Sequence, residues 1–187
     1  YGRTDGDAAL LHIAYGNSVE MSDSTITKTQ GEGRILRYYG GGTLDKDGNA
    51  VPATGTFTNV TITDNKNCYY TPVSLPNANS SDGDEWKTRS IQAQSNWKDC
   101  TITGNAASIT SQDGAGGFEV YKQNVTLEHC TISNNSGPNG GVYVSSPLTN
   151  YGFGDQQEGV VTFTNCDITG NHGTAARGAG GMGISFY

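Results

Sequence analysis

Long apolar runs, cationic clusters and grouped metal ligands are what this chain lacks. No stretch approaches the ~18 consecutive apolar residues that cross a bilayer, so no transmembrane segment is predicted. Lysine and arginine number 11 against 18 aspartates and glutamates, a formal charge of -7 that offers no cationic face to nucleic acid. The four cysteines form no Cys-x-x-Cys pair and His12, His129 and His172 stand far apart, which argues against a metal site. A glycine-rich phosphate loop, a nucleophile elbow and a Ser/His/Asp order are missing too. Only 34% of the 187 residues are hydrophobic, too few for a thick core. A narrow, elongated core fits better.

What is present is repetition. The stretch "VTFTNCDITGN" (Val161 to Asn171) has a close copy in "VTLEHCTISNN" (Val125 to Asn135). Five copies occur in all: "MSDSTITKT" from Met21, "FTNVTITDN" from Phe57, "WKDCTITGN" from Trp97, "LEHCTISNN" from Leu127 and "FTNCDITGN" from Phe163. They start 36, 40, 30 and 36 residues apart, a period that marks a solenoid, propeller or array. Isoleucine is invariant at Ile26, Ile62, Ile102, Ile132 and Ile168, and the last position is Thr29, Asn65, Asn105, Asn135 and Asn171.

Two-residue alternation and β-branched side chains make these copies strands, not helices. With 27 glycines and abundant threonine, a helical repeat is excluded. Each unit shows about three short strands, of the types "VTF", "CDIT" and a glycine-led third such as "GGVYV", "GGFEVY", "GGMGISFY" or "GGTL". Three strands per turn, each pairing with its equivalent one turn on, predict an all-β parallel β-helix of about five coils. One domain then covers residues 1–187, with 1–18 as an N-terminal cap or partial first unit and 19–187 as the repeats. Coils ~4.8 Å apart stack equivalent side chains into columns. Isoleucine fills the interior, and Met/Phe/Trp/Leu/Phe fills a corner beside it. Asparagine is expected to take the strained turn and to bond its amide to the asparagine of the next coil. Cys100, Cys130 and Cys166 share one column, where small apolar core thiols are favoured over strained bridges.

Extra residues fall between the glycine-led strand and the next copy, as in "LDKDGNAVPATG", "SLPNANSSDGDEW" and "SSPLTNYGFGDQQEG", on what should be one edge. The densest ionic group there is Asp82, Asp84 and Glu85 with Lys87 and Arg89, the residue types of a polysaccharide lyase, for which calcium would be the cofactor. Any acidic surface loop has the same composition, so no catalytic residue is assigned. Tyr38, Tyr39, Tyr69, Tyr70, Trp86, Tyr151 and Phe153 lie in or beside the variable segments and are candidates to stack on carbohydrate or anchor a protein partner. A flat threonine array of the ice-binding kind is broken at Ser133 and Asp167.

The run Cys130 to Asn135 followed by Gly140-Gly141-Val142, and Cys166 to Asn171 followed by Gly180-Gly181-Met182, resemble the right-handed parallel β-helix repeats of bacterial and archaeal surface proteins. Polymorphic outer-membrane protein and adhesin-like passengers are among them, and the likeness covers Val19 to Tyr187. It implies an extracellular or cell-surface structural or adhesive protein, without cofactor, whose partners are copies of itself, another surface protein or carbohydrate. A piece of a carbohydrate-active β-helix enzyme is the alternative. Tyr1 is neither an initiator methionine nor the start of a signal segment, so a mature or excised piece is expected. The strand-like, unprotected "GGMGISFY" at the other end predicts further coils or end-to-end stacking of subunits.

Overall fold

The structure is a computed structural model that describes residues 9–14, 16–29, 33–66, 68–77, 88, 91–109, 114–146, 159–176 and 178–186, with 146, 185 and 186 as backbone alone. It is all-β, and its two main sheets are parallel. The first runs Ala9–Ile13, Arg34–Tyr38, Val73–Pro76, Phe118–Tyr121, Val142–Ser146, Met182–Phe186, in chain order. The second holds the template. Its first two copies are the unbroken strands Val19–Thr27 and Thr54–Thr63. The later copies are each split, into Gln94–Lys98 and Thr101–Thr103, Asn124–Glu128 and Thr131–Ser133, and Val161–Thr164 and Asp167–Thr169. No helix among the described residues is long and apolar enough to cross a membrane.

Register follows the template without slippage. Ile26 pairs with Ile62, Ile62 with Ile102, Ile102 with Ile132 and Ile132 with Ile168, so the five isoleucines form a single file. The central three are buried, and the outer two pack against them. Met21, Phe57, Trp97, Leu127 and Phe163 form a second file, in which the Phe57 and Trp97 rings lie 4.0 Å apart and 16° from parallel. A slip of one residue would turn every one of these side chains outward, which is why the register is so strongly specified.

Two template positions bend the backbone. Asp23, Asn59, Asp99, His129 and Asn165 all have φ near +50° (47° to 54°), and each sits where the long strand turns its corner. Asn, Asp and His tolerate this left-handed region better than other side chains. Lys28, Asp64, Gly104, Asn134 and Gly170 do the same, with φ of 51° to 65°, immediately before the ladder position. The strained turn expected of the ladder asparagines therefore falls one residue earlier. The reason is geometric: the preceding residue reverses the chain, and the asparagine keeps an ordinary backbone that sends its side chain into the core.

One element that the sequence leaves open between a helical cap and an early strand is decided, and three others differ from the sequence expectation. "DAALLHIAYG" supplies a first-sheet strand, Ala9–Ile13, and so settles as a strand rather than a helical cap. Gly42–Leu44, expected as a glycine-led strand of the repeat, pairs antiparallel with Ala50–Pro52 in a hairpin instead. The first-sheet strand of that unit is Arg34–Tyr38, which no glycine pair announces. Likewise Val73–Pro76 belongs to the first sheet, although "SLP" falls in what the sequence presents as an insertion.

The glycine pairs that do open strands have a steric cause. A Cβ on Gly117 would stand 2.9 Å from Asn135 Nδ2, and one on Gly141 2.5 Å from Asn171 Nδ2. The ladder amide occupies the space that a side chain would need, so asparagine and the second glycine form one coupled motif. Gly141→Ala is expected to cost about 1–3 kcal/mol through displaced amide or backbone, seen as a lowered urea midpoint at unchanged slope.

Candidate functional site

Each rung of the asparagine file from Thr29 to Asn135 is hydrogen-bonded to the next inside the fold. Asn105 Oδ1 accepts from Asn65 N–H at 3.1 Å and from Asn65 Nδ2 at 2.9 Å. Its own Nδ2 donates to Ile62 O at 2.9 Å and to Asn135 Oδ1 at 3.0 Å. Asn135 repeats the pattern toward Asn171, and Thr29 begins it by donating N–H and hydroxyl to Asn65 Oδ1, both at 3.0 Å. Pairing of this kind offsets the cost of burying polar groups. Another buried amide, that of Gln123, donates to Tyr38 O and Pro76 O at 2.9 Å each, tying one corner of the core across strands far apart in sequence. Nothing periodic in the sequence marks Gln123.

All four cysteines are free thiols. The sulfurs of Cys100, Cys130 and Cys166 each approach a main-chain carbonyl of the preceding copy at 3.4 Å: Phe57 O, Trp97 O and Leu127 O. Burial raises Cys68 to about 11. A side-chain hydrogen bond with Cys100, then burial, pushes Cys130 above the ordinary thiol range, while the same bond holds Cys100 below its ordinary value. Protonated thiols packed against carbonyls are core residues.

Of the aromatic candidates, Tyr38 is corrected outright. It is 0% exposed, edge-on to Phe57 at 6.4 Å, because alternation along Arg34–Tyr38 turns it inward. Its hydroxyl is held up at about 12 by burial. Tyr39 is on the outer face: Arg37 lies 4.2 Å over its ring and also donates to its hydroxyl, and His12 stacks on it at 5.7 Å. Arg34 lies 4.3 Å over the Tyr70 ring, and Tyr70 meets Tyr69 edge to face at 4.8 Å. Tyr69, 44% exposed, is the most open of the four. Two cation–π couples thus stand at either end of Arg34–Tyr38, each already using one face of its tyrosine. Arg34 and Arg37 were not singled out from sequence; the signal was the Arg-x-Tyr alternation in "RILRYY".

Trp86, Tyr151 and Phe153 lie outside the described residues, as do Asp82, Asp84, Glu85, Lys87 and Arg89. The outward row of the first sheet, His12, Arg37, Ser74, Glu119 and Tyr143, is in register. Arg37, Ser74 and Tyr143 in it are buried, so this face is not open to bulk water at those positions. In the hairpin loop, Asp45 is filled by its own chain. It accepts from the Asp47 and Asn49 N–H groups at 2.9 and 2.8 Å and from the Asn49 amide at 3.0 Å; the Asn49 side-chain bond leads in holding its carboxyl below the usual range. Among the described residues no group of three or more His, Cys, Asp or Glu is placed to hold a metal ion.

The raised hydroxyl and thiol set an alkaline limit. The unfolded chain ionises first, Cys68 from its ordinary 9.0 and Tyr38 from 10.0, while the folded chain holds both protons to about 11 and about 12. The unfolded state therefore binds fewer protons as pH rises, and stability falls across that window. Far-UV circular dichroism from pH 8 to 12 should show loss of strand signal above about pH 9, with Tyr38→Phe moving the midpoint upward.

Comparison with protein-family models, with curated proteins and with solved structures gives no match.

Proposed function

We propose that the chain winds as a right-handed parallel β-helix of about five turns and serves as an extracellular or cell-surface structural or adhesive solenoid, stacking end to end with copies of itself. The observation that carries this reading is the continuous asparagine file running in register beside the isoleucines, from Thr29 to Asn171. A motif whose side chains are satisfied by the next copy of itself specifies extension along one axis. Right-handedness is the rule for parallel crossover connections. Its partners in this reading are further copies or another surface protein, with carbohydrate held by open aromatics such as Tyr69. No cofactor is required.

Antibodies against the chain should label intact producing cells; label that appears only after permeabilisation would overturn the surface role. The rival, a piece of a carbohydrate-active β-helix enzyme using calcium and the Asp82 to Arg89 segment, has its own test. Turnover of uronate polymers to unsaturated products, abolished by Asp84→Asn, would replace the structural reading with a catalytic one.

A further inference from the structure

Cysteines that stand 30 and 36 residues apart look unrelated in the sequence, and stacking makes them neighbours. We propose that Cys100, Cys130 and Cys166 form a linear site for a soft monovalent cation, Cu(I) by its chemistry, with one ion held in line between each successive pair of sulfurs. The three occupy one template position in consecutive copies, each directly before residues paired in register. Thr131 N–H donates to Cys100 O and Asp167 N–H to Cys130 O, both at 2.9 Å, so the sheet itself fixes the spacing of the file at this point. Cys130 is the central member and shares side-chain hydrogen bonds with both neighbours. Its backbone N–H also donates to Cys166 Sγ at 3.4 Å.

The spacing suits an ion better than a disulfide. Parallel side chains in register stand about 4.8 Å apart, beyond the roughly 3.5–4.5 Å between the Cβ atoms of a relaxed bridge, and all three thiols are free. Metal–thiolate bonds of about 2.3 Å on either side of an ion span about 4.6 Å, close to one coil step. Coordination number then selects the metal. Zinc takes four ligands in a tetrahedron, whereas each step of this file offers two sulfurs. The carbonyls that approach the sulfurs at 3.2 to 3.4 Å are hard donors, and thiolates select Cu(I). Because the sulfurs lie along a line and not around a point, they make no three-ligand cluster. Loading two ions replaces two S–H bonds by S–Cu bonds and releases two protons to water, while the third sulfur binds through a lone pair. The filled file is thus uncharged, as an interior site should be where Cys100 and Cys130 are 1% and 2% exposed. Entry requires neighbouring coils to part locally, so loading is slow.

Titration of the folded chain with Cu(I) under nitrogen, followed by dialysis against a Cu(I) chelator, should leave two ions per chain. X-ray absorption should then show two sulfur neighbours for each copper at about 2.3 Å. Cys130→Val should retain no ion, because both ions bond to that sulfur. Cys100→Val and Cys166→Val should each retain one, and Cys68→Ser should retain two. Valine suits this column because Val60 already fills it, fully buried. Cys130→Ser, which copies Ser24 at the same template position, takes its place if the valine variant loses its strand spectrum. Three or more sulfur neighbours per copper, any ion kept by the Cys130 variant, a loss caused by Cys68→Ser, or a parent chain stripped by the chelator would each overturn the site. None of these readouts depends on where the protein acts, so the surface role and the copper site fail separately.

Discussion

Asn105→Ala should lower the free energy of unfolding by about 4 kcal/mol, a large share of the 5–15 kcal/mol typical of a domain. Asn105 is 1% exposed, and its side chain makes four hydrogen bonds. Alanine leaves the Asn65 N–H, one Asn65 amide hydrogen and the Ile62 carbonyl without those partners inside the core, each at a cost of about 1–3 kcal/mol less whatever water recovers. Asn105→Asp should do no better at neutral pH, because it keeps the acceptor, loses both donors and brings a charge into the interior. Urea titration followed by circular dichroism decides the matter. A loss below about 1 kcal/mol would mean that the file is a passenger of the sheet rather than its internal support.

Trp97→Ala is expected to cost about 3–5 kcal/mol, by lost burial and by the cavity left behind. The indole is 1% exposed, parallel to Phe57 and edge-on to Phe118 at 5.1 Å. Trp97→Phe should be far milder. The indole N–H has no acceptor among the described residues, so the smaller ring sacrifices area but no polar bond. If both variants behaved alike in thermal melts, the corner file would not be a packed column at all.

The parts of the fold legible from the amino acids are those where one chemistry recurs at one position. Isoleucine at five template sites, and asparagine at four, declare both the period and the side that faces inward. The bend before the ladder was illegible for the converse reason. Lys28, Asp64, Gly104, Asn134 and Gly170 share a backbone conformation and no side-chain property. Val73–Pro76 is preceded by Thr71-Pro72 at the register positions of Gly116-Gly117, so no glycine pair announces it, and the proline at its end reads as a loop. Tyr38 misled because a tyrosine pair beside an insertion looks like surface, whereas alternation puts one ring in and the other out. As for the candidate site, sequence named Tyr39 and Tyr70 but not the arginines that cover them, since a cation–π couple across a strand corner leaves no periodic trace.

Because each main strand is paired only with the copy before and the copy after, no bond among the described residues links the first unit directly to the last within either sheet. Such an arrangement frays by subunits of its own length instead of melting as one body. Deuterium uptake by the backbone amides should accordingly be slowest around Ile102, faster toward Ile26 and Ile168, and graded smoothly between them.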